Sequence, residues 1–331
     1  MLKNKKGFAI ILAWPQTFCK QAGGWYDPIL GLLGISKNHY YQVGHAAVVL
    51  VNADNGTLHY FDFGRYHTPF GFGRVRSEKT DPDLKMAQKA NISYGSILNL
   101  TEILIELKNR KACHGKGNLY GSLIEVDFSL AYKKAMYLQQ ISPIPYGPFV
   151  FKGNNCSRFV NDVVRAGKPS FVTWLKLMFP WTFSPTPIGN VKAAGKYLTI
   201  NGSPPEVPSC PSKLDAVLAT PVIHPAIPTN SKWLAGEGAG SWFHITRMAE
   251  LFIVRRYSPN GELEFTAIYE TLGDQYFFPE SSFELGYPIH YEKITIIQAG
   301  NLILLKPISK YSKSKNDGFK EIIETLQLTS N

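Results

Sequence analysis

The sequence predicts an α+β protein that ends in an all-β module, and three regional patterns support this prediction. Within residues 1–167, apolar strand-like runs alternate with segments that repeat apolar residues at helical spacing. Residues 168–215 concentrate proline and aromatic side chains, a composition typical of an irregular connection. Residues 216–331 contain short strand-like runs separated by turn residues. We therefore expect an α+β domain, a helix-bearing linker that packs on it, and a β-rich module.

The first domain is expected to contain four strands and three helices. Each predicted strand is an apolar or β-branched run that stops at turn residues, and each predicted helix has one apolar stripe. The strands are predicted at Phe8–Trp14, Ala46–Val51, Thr57–Phe63 and Ser122–Phe128. The helices are predicted at Ile97–Asn109, Leu130–Gln140 and Cys156–Arg165.

Two hairpins are expected in the C-terminal module. One joins Phe252–Tyr257 to Leu263–Tyr269, and the other joins Lys293–Gln298 to Leu302–Lys306. The glycine-rich segment 233–244 lacks the Lys-Ser/Thr ending of a phosphate-binding loop. We interpret this segment as a β-bulge or tight crossing. A role for the module in substrate positioning is a hypothesis.

The composition predicts a soluble, folded protein. The chain has 331 residues, of which 44% are hydrophobic and 18% charged, so it is long enough to bury a sizeable core. The net charge is +10, but Lys and Arg are scattered, and the clusters at Lys3–Lys6 and Lys310–Lys315 are interpreted as solvated tails. No nucleic-acid partner is predicted. No apolar run is long enough to span a bilayer, and the run after Lys6 ends at Pro15 without a cleavage site for a secretory signal.

The four cysteines predict neither a disulfide framework nor a structural zinc site. Cys19, Cys113, Cys156 and Cys210 form no Cys-x-x-Cys pair and have no regular spacing. Cys113 is followed by His114, but no second ligand pair accompanies them. We therefore predict no metal and no cofactor, and we expect a reducing compartment, the cytoplasm.

Cys156 is prominent because it lies where a helix is predicted to begin. In the segment Gly153–Gly167, apolar residues repeat at helical spacing, Asn154 or Asn155 is a natural N-cap, and Gly167 is a natural stop. Unpaired backbone N–H groups and the positive end of the helix dipole favour the thiolate at such a position. The sequence therefore predicts that Cys156 is a nucleophile.

A nucleophilic thiolate needs a base, and His45 is the best placed of the eight histidines. It opens the strand-like run that continues to Val51, and Gly44 before it allows another segment to approach closely. We therefore predict His45 as the general base.

The following strand offers candidates for a third group that orients the imidazole. If residues 55–56 form a two-residue type I′ turn, Asp62 lies opposite Val49 and Tyr66 lies opposite His45. Asp62 then shares the face of His45.

A different loop length would change the third group. A three-residue loop would shift the register by one residue and bring His59 to the His45 face instead of Asp62. We prefer Asp62, although its carboxylate could instead pair with Arg65 or Arg74. Tyr66 and His59 are retained as candidates for the cleft.

These residues also resemble a known family. The run Asn155–Asn161 (NCSRFVN) resembles the Asn-Cys-Glu-His-Phe-Val motif of the lecithin:retinol acyltransferase family, and Gly44–Ala46 (GHA) resembles its His-Trp-Ala strand. That family has the circularly permuted NlpC-type papain-like fold, in which the catalytic His precedes the Cys, as here. Ser157 and Arg158 replace the Glu and His of the motif, and the segment 66–140 is longer than in the family. These departures leave the substrate open.

The resemblance implies a papain-like site with Cys156 as nucleophile, His45 as general base and Asp62 or His59 as the third polar residue. The Cys156 backbone N–H, helped by Asn155, would hold the oxyanion. Such a site attacks an amide, peptide or ester carbonyl and releases the acyl group to water or to an amine. The sequence therefore predicts a thiol hydrolase or an acyltransferase, and the alternative is a papain-like binding or structural module with an inert cysteine.

Overall fold

A computed structural model describes residues 7–21, 27–32, 34, 36–182, 184–207, 220–236, 240–273 and 275–308. Cys210 and the lysine clusters near the two ends of the sequence lie outside the described residues. The chain forms two compact units, and each is built from segments that are not continuous in the sequence. The first unit comprises Met1–Arg65, Gly71–Glu78 and Leu84–Val217, and the second comprises Tyr66–Phe70, Lys79–Asp83 and Leu218–Asn331.

The first unit mixes strands and helices, so the predicted α+β class is confirmed. Its strands are β1 (Gly7–Trp14), β2 (Cys19–Lys20), β3 (Ser36–Lys37), β4 (Tyr40–Tyr41), β5 (His45–Asn52), β6 (Leu58–Gly64), β7 (Phe72–Arg76), β8 (Ile92–Ser93), β9 (Ser96–Ile97), β10 (Leu119–Val126), β11 (Ile144–Pro145) and β12 (Tyr197–Ile200). Its helices are α1 (Asp27–Leu32), α2 (Leu100–Asn109), α3 (Phe128–Gln140), α4 (Cys156–Ala166), α5 (Phe171–Met178) and α6 (Pro187–Ala193). Two short 3₁₀ turns lie at Pro82–Leu84 and Lys111–Cys113.

The main sheet of the first unit is antiparallel, with the strand order β11-β7-β6-β5-β1-β10-β12. All eight residues of β1 are buried, because this central strand is covered on both faces. Alternate side chains point to opposite faces of a strand. Ile11 therefore packs in a cluster with Val48 of β5 and Phe159 of α4, whereas Ile10 packs in a second cluster with Leu104 of α2.

The helix α4 begins at Cys156, as predicted, and Asn155 is its N-cap. The helices α2 and α3 differ from the prediction at their N-terminal ends. α2 begins at Leu100 because Ile97 pairs with Ile92 in the β8–β9 hairpin. α3 begins at Phe128 because the Asp127 side chain accepts the Leu130 N–H and so ends β10 at Val126.

The predicted two-residue turn between β5 and β6 is wrong. The observed register pairs Ala47, rather than Val49, with Asp62, and the loop has four residues, 53–56. Two asparagines close this loop by accepting backbone N–H groups, Asn52 from Asp54 and Asn55 from Thr57. The register moves by two residues, an even number, so Asp62 still lies on the face of His45.

The second unit is a single antiparallel sheet. Its strands are β13 (Lys232–Leu234), β14 (Ser241–Met248), β15 (Leu251–Tyr257), β16 (Leu263–Thr271), β17 (Glu284–His290), β18 (Lys293–Gln298) and β19 (Asn301–Pro307). They follow the order β13-β14-β15-β16-β19-β18-β17, and the edge strands β13 and β17 approach each other, so the sheet is a nearly closed barrel. Both predicted hairpins are confirmed, as β15–β16 and β18–β19.

The aromatic flanks of the glycine-rich segment pack across this sheet. Trp233 of β13 pairs with Trp242 of β14, with 5.4 Å between the ring centroids. A Cβ on Gly240 would lie 2.1 Å from the Trp233 ring, so the backbone passes too close to the indole for a side chain. This close crossing agrees with the interpretation made from the sequence. Within the described residues, no helix is both long and apolar enough to cross a bilayer.

Candidate active site

Cys156 is the first residue of α4 and is buried. The Asn155 side chain accepts the Arg158 N–H at 2.9 Å and thereby caps the helix. The apolar stripe of α4 packs against the main sheet through Phe159, Val160 and Val163. The thiol is therefore held at the positive end of a helix whose position is fixed by core packing.

His45 is the first residue of β5 and faces Trp14 across the β1–β5 pair. The two rings stack with their centroids 5.9 Å apart. Gly44 precedes the histidine with φ at +79°, and a Cβ there would lie 2.9 Å from the Cα of Pro15. A residue without a side chain is thus required where β5 begins.

Asp62 of β6 is completely buried and accepts hydrogen bonds from three side chains. Its Oδ2 lies 3.2 Å from Nε2 of His45 and 3.1 Å from the hydroxyl of Tyr60. Arg76 of β7 donates to both carboxylate oxygens, with Nε to Oδ1 at 3.0 Å and Nη2 to Oδ2 at 2.6 Å. Arg76 also donates to the carbonyl of Ala112 at 3.0 Å. The carboxylate is fixed in position by these partners.

The three candidate residues are electrostatically linked. Burial opposes ionisation of Asp62, but the charge of Arg76 and the hydrogen bond with His45 hold the pKa of its carboxyl well below the usual range. Burial alone would lower the pKa of His45, but hydrogen bonds with Asp62 and Cys156 raise it to about 9. Burial would raise the pKa of Cys156, yet the hydrogen bond and charge of His45 lower it. The backbone N–H of Ala46 and the Ser157 hydroxyl add to this lowering. The arrangement favours a thiolate–imidazolium pair.

The other two described cysteines are different, although all three are free thiols. Burial raises the pKa of Cys19 to about 12, and the nearby Cys156 adds to this rise. Burial also raises the pKa of Cys113 to about 12, with a further contribution from Asp62. Both thiols therefore stay protonated at neutral pH, whereas the surroundings of Cys156 favour its ionised form.

A cavity of about 200 Å³ opens onto Cys156. One wall comes from the residues between β1 and β5, including Cys19 and Gly44, and another from Ser157 of α4 and its N-cap residue Asn155. The remaining walls contain Arg65, Tyr146, and the stretch from Ser184 to Pro187. The guanidinium of Arg65 lies over the Tyr146 ring at 4.8 Å and donates to the Lys20 carbonyl. The cavity can hold a small portion of a substrate against the thiol.

The structure brings Cys156, His45 and Asp62 together and places Asn155 at the same cavity. His59 lies on the opposite face of β6, where it hydrogen-bonds Glu78 at 3.0 Å. Tyr66 is buried, belongs to the second unit and is not among the residues that line the cavity. Asn155 lines the cavity, and its side-chain oxygen caps α4.

Several supporting residues were not identified from the sequence. Arg76, rather than the Arg74 considered from the sequence, pairs with Asp62. Residues two apart in a strand lie on the same face, so the alternation of β7 was the signal that could have identified Arg76. Asn161 donates to the Leu177 carbonyl at 2.8 Å and to Asn190 at 3.2 Å, which ties α4 to α5 and α6. Such buried polar pairs connect distant segments and leave no local pattern. In the part of the chain that the structure describes, no three His, Cys, Asp or Glu side chains converge to hold a metal ion.

Two family models match the sequence, one in each half. Residues 9–170, which are 162 of the 331 residues and include all three candidate residues, match the model described as type VI secretion system effector TseH-like. Residues 231–308 match the DUF6695 C-terminal domain. The first unit therefore resembles a family of secretion effectors, and the second resembles a domain whose description names no function.

One solved structure is similar to this chain. It is the crystal structure of the type VI secretion system effector TseH, at 20% sequence identity and a TM-score of 0.41. The match covers 60% of this chain and 94% of that one. No curated protein matched the sequence.

Proposed function

We propose that the protein is a cysteine hydrolase of the permuted papain-like type, which cleaves an amide, peptide or ester bond through a thioacyl intermediate on Cys156. The observation that carries this proposal is the buried chain of contacts from Arg76 through Asp62 and His45 to the thiol. A structural cysteine has no need of an imidazole that is itself held by a buried carboxylate. The order of His45 before Cys156 in the sequence supports the permuted arrangement.

The geometry supports a two-step reaction. The Cys156 thiolate attacks the carbonyl carbon, a C–S bond forms, and His45 gives its proton to the leaving amine or alcohol. The oxyanion lies at the start of α4, where the Cys156 backbone N–H is one of the helix donors. Water then attacks the thioester while His45 accepts its proton, and the thiolate leaves with the C–S electrons. Asp62 keeps the imidazole oriented through both steps.

We further propose that this hydrolase is a type VI secretion effector. The similarity of residues 9–170 to the TseH-like effector family supports this role. Such an effector would act after export, rather than in the cytoplasm as expected from the cysteines alone.

A probe screen with matched cysteine variants tests the hydrolase. The purified full chain would be offered fluorogenic amide, ester and peptide probes, together with Cys156→Ala and Cys19→Ala. Cys19 lies in the same cavity but is protonated, so Cys19→Ala should retain activity. Cys156→Ala should lose roughly 10⁴-fold or more of the rate. Equal rates in Cys156→Ala and the parent protein would contradict the proposal.

Mass spectrometry of the trapped enzyme separates the outcomes further. Brief incubation with a reactive ester probe should add one acyl group to Cys156, and water should remove it. Release only when an amine is supplied would indicate an acyltransferase, and absence of any acyl adduct across the probes would indicate an inert module.

A further inference from the structure

Two segments of the first unit, one at Phe151 and one from Phe171 to Trp181, expose large apolar side chains. Trp181 and Phe151 are 105% and 85% exposed, values far above those of core residues. They belong to a set that we call the aromatic face, which comprises Phe151, Phe171, Val172, Met178, Phe179 and Trp181. Met178 lines a cavity together with Lys152 and Pro180, which are the sequence neighbours of Phe151 and Trp181. Exposed apolar patches of this kind mark sites of interaction.

The helix α5 is held so that this face points outward. Its inner side buries Thr173 and Leu177, and its first turn is capped by Ser170. The Leu177 carbonyl is bonded to Asn161 of α4, so the helix is fixed on the core. The residues that point away from the core would be polar on an ordinary surface helix. Phe171 and Val172 occupy such positions instead.

The loop that carries Phe151 is also fixed. Gly147 donates to the Asn154 carbonyl at 2.9 Å, and Asn154 donates to the Pro145 carbonyl at 2.8 Å, so the two ends of the loop are joined. The Lys152 ammonium lies 5.5 Å from the centre of the Phe151 ring. The ring is thus presented at the tip of a closed loop beside a cation.

The stretch of sequence that carries the aromatic face is strongly basic. From residue 128 to residue 205 the sequence contains nine Lys and Arg residues but only one acidic residue, Asp162. This stretch therefore accounts for +8 of the net charge of +10. Asp162 is itself surrounded by Lys134, Arg158 and Arg165. The imbalance arises from missing acids rather than from a block of lysines.

We propose that the aromatic face is a membrane-binding surface that inserts into the interfacial region of a bilayer rich in anionic lipid. Aromatic rings and the long stems of lysines both partition to this region, and each nearby Lys or Arg adds to the attraction of an anionic leaflet. Fully projecting rings such as Trp181 suit insertion better than they suit a flat protein partner. Aliphatic members such as Val172 gain nothing from nucleic-acid bases, which favours lipid over a polynucleotide.

Membrane binding would place the candidate active site next to the bilayer. Pro185 lines both the cavity at Cys156 and the cavity beneath the aromatic face. The proposal does not rest on catalysis, because an inert Cys156 would leave the aromatic face unchanged.

Vesicle sedimentation of the full chain tests the proposal. Vesicles of phosphatidylcholine alone would be compared with vesicles of phosphatidylcholine and phosphatidylglycerol in equal parts. The parent protein should sediment with the anionic vesicles, should stay in solution with the neutral ones, and should dissociate as salt is raised. Failure to bind the anionic vesicles would overturn the proposal.

Two pairs of variants separate insertion from simple charge attraction. Phe179→Ala/Trp181→Ala should weaken binding at least tenfold, whereas Tyr94→Ala, which removes an equally exposed ring elsewhere on the first unit, should not. Lys168→Glu/Lys176→Glu should weaken binding about tenfold or more, whereas Lys85→Glu should have little effect. All these positions are exposed, so the fold is preserved and circular dichroism checks it. Equal vesicle binding by the double aromatic variant and Tyr94→Ala would overturn the proposal. It would also be overturned if the parent protein bound duplex DNA as tightly as it binds anionic vesicles and the double aromatic variant retained that DNA binding.

Discussion

Asp62 is the residue on which the charge of the candidate site depends. Although burial opposes its ionisation, the charge of Arg76 and the hydrogen bonds from His45 and Arg76 lower the pKa of its carboxyl, and its charge in turn stabilises the His45 imidazolium. That cation stabilises the Cys156 thiolate. A change at Asp62 is therefore expected to alter the reactivity of a sulfur that it does not touch.

The first prediction concerns thiol reactivity in Asp62→Asn. Loss of the carboxylate removes a hydrogen bond and a charge that raise the pKa of His45, so less imidazolium remains to stabilise the thiolate. We expect the alkylation of Cys156 by iodoacetamide to require higher pH in Asp62→Asn and in His45→Ala than in the parent protein. Mass spectrometry of the modified peptide measures this, with Cys19→Ser excluding the second thiol of the cavity. Superimposable profiles in all proteins would show that Cys156 is an ordinary thiol.

The second prediction concerns pH and follows from the sign of the His45 shift. Its pKa is raised to about 9, so the imidazolium persists through neutral pH and is lost as pH rises through that value. Hydrolysis needs this proton for the leaving group and should fall above about pH 9. Alkylation needs only the thiolate and should not fall. Measuring the rates of probe cleavage and of iodoacetamide alkylation against pH on the same protein would test this difference. A cleavage rate that still rises above pH 10 would exclude His45 as the proton donor.

At the scale of elements, the site depends on the edge of the sheet where β1 ends beside the start of β5. Trp14 ends β1, His45 begins β5, and Gly44 passes against Pro15 with no room for a side chain. The general base is thus positioned by a backbone contact as well as by its own hydrogen bond.

The third prediction is a pair of glycine substitutions, Gly44→Ala and Gly71→Ala. Both glycines have nearly equal positive φ, +79° and +77°, but a Cβ meets the Pro15 backbone only at Gly44. The shared strain should cost about 1 kcal/mol in each, and the clash should add about 1–3 kcal/mol in Gly44→Ala. Urea unfolding measures the free energies, and probe cleavage should fall in Gly44→Ala alone. Equal losses of stability would show that the approach to Pro15 imposes no constraint.

Elements that depend on a local pattern could be predicted from the sequence, whereas the register and contacts between distant elements could not. The Asn155 cap and the apolar stripe fix α4, and both lie within one short segment. The β5–β6 register depends on side-chain bonds from Asn52 and Asn55 and on the contact of Gly56 with Ala90. Asp62, rather than His59, still lies on the face of His45 because an even shift of register preserves the face of a strand.

At the scale of the whole molecule, the two units are interleaved along the chain. The short segments 66–70 and 79–83 belong to the second unit although first-unit sequence flanks them. The buried Arg256 explains the second of these. It pairs with Asp81 at 3.3 Å and with Glu264 at 2.6 Å, and these charges raise its pKa above the ordinary value although burial opposes this. The boundaries predicted at 167 and 216 follow composition, which carries no mark of an ion pair between residues so far apart.

The fourth prediction compares two ion pairs of the second unit. Arg256→Met would remove the cation that pairs with the buried Asp81 and should lower the free energy of unfolding by about 3–5 kcal/mol. Lys306→Met removes the exposed pair with Glu270 and should cost no more than about 1 kcal/mol. Thermal unfolding followed by near-ultraviolet circular dichroism compares them. Similar small losses in both variants would mean that Arg256 does not organise the unit.

The interleaving also has a consequence for biosynthesis. Arg256 leaves the ribosome 175 residues after Asp81, which at about 5–20 residues per second is a delay of roughly 10–35 s. During that interval Asp81 cannot reach its buried position beside Arg256 and must stay hydrated, while the preceding strands β6 and β7, which carry Asp62 and Arg76, are already synthesised. Nascent chains stalled before Arg256 should therefore remain open to proteases at residues 79–83, a step in assembly at which a chaperone or a binding partner can act on the protein.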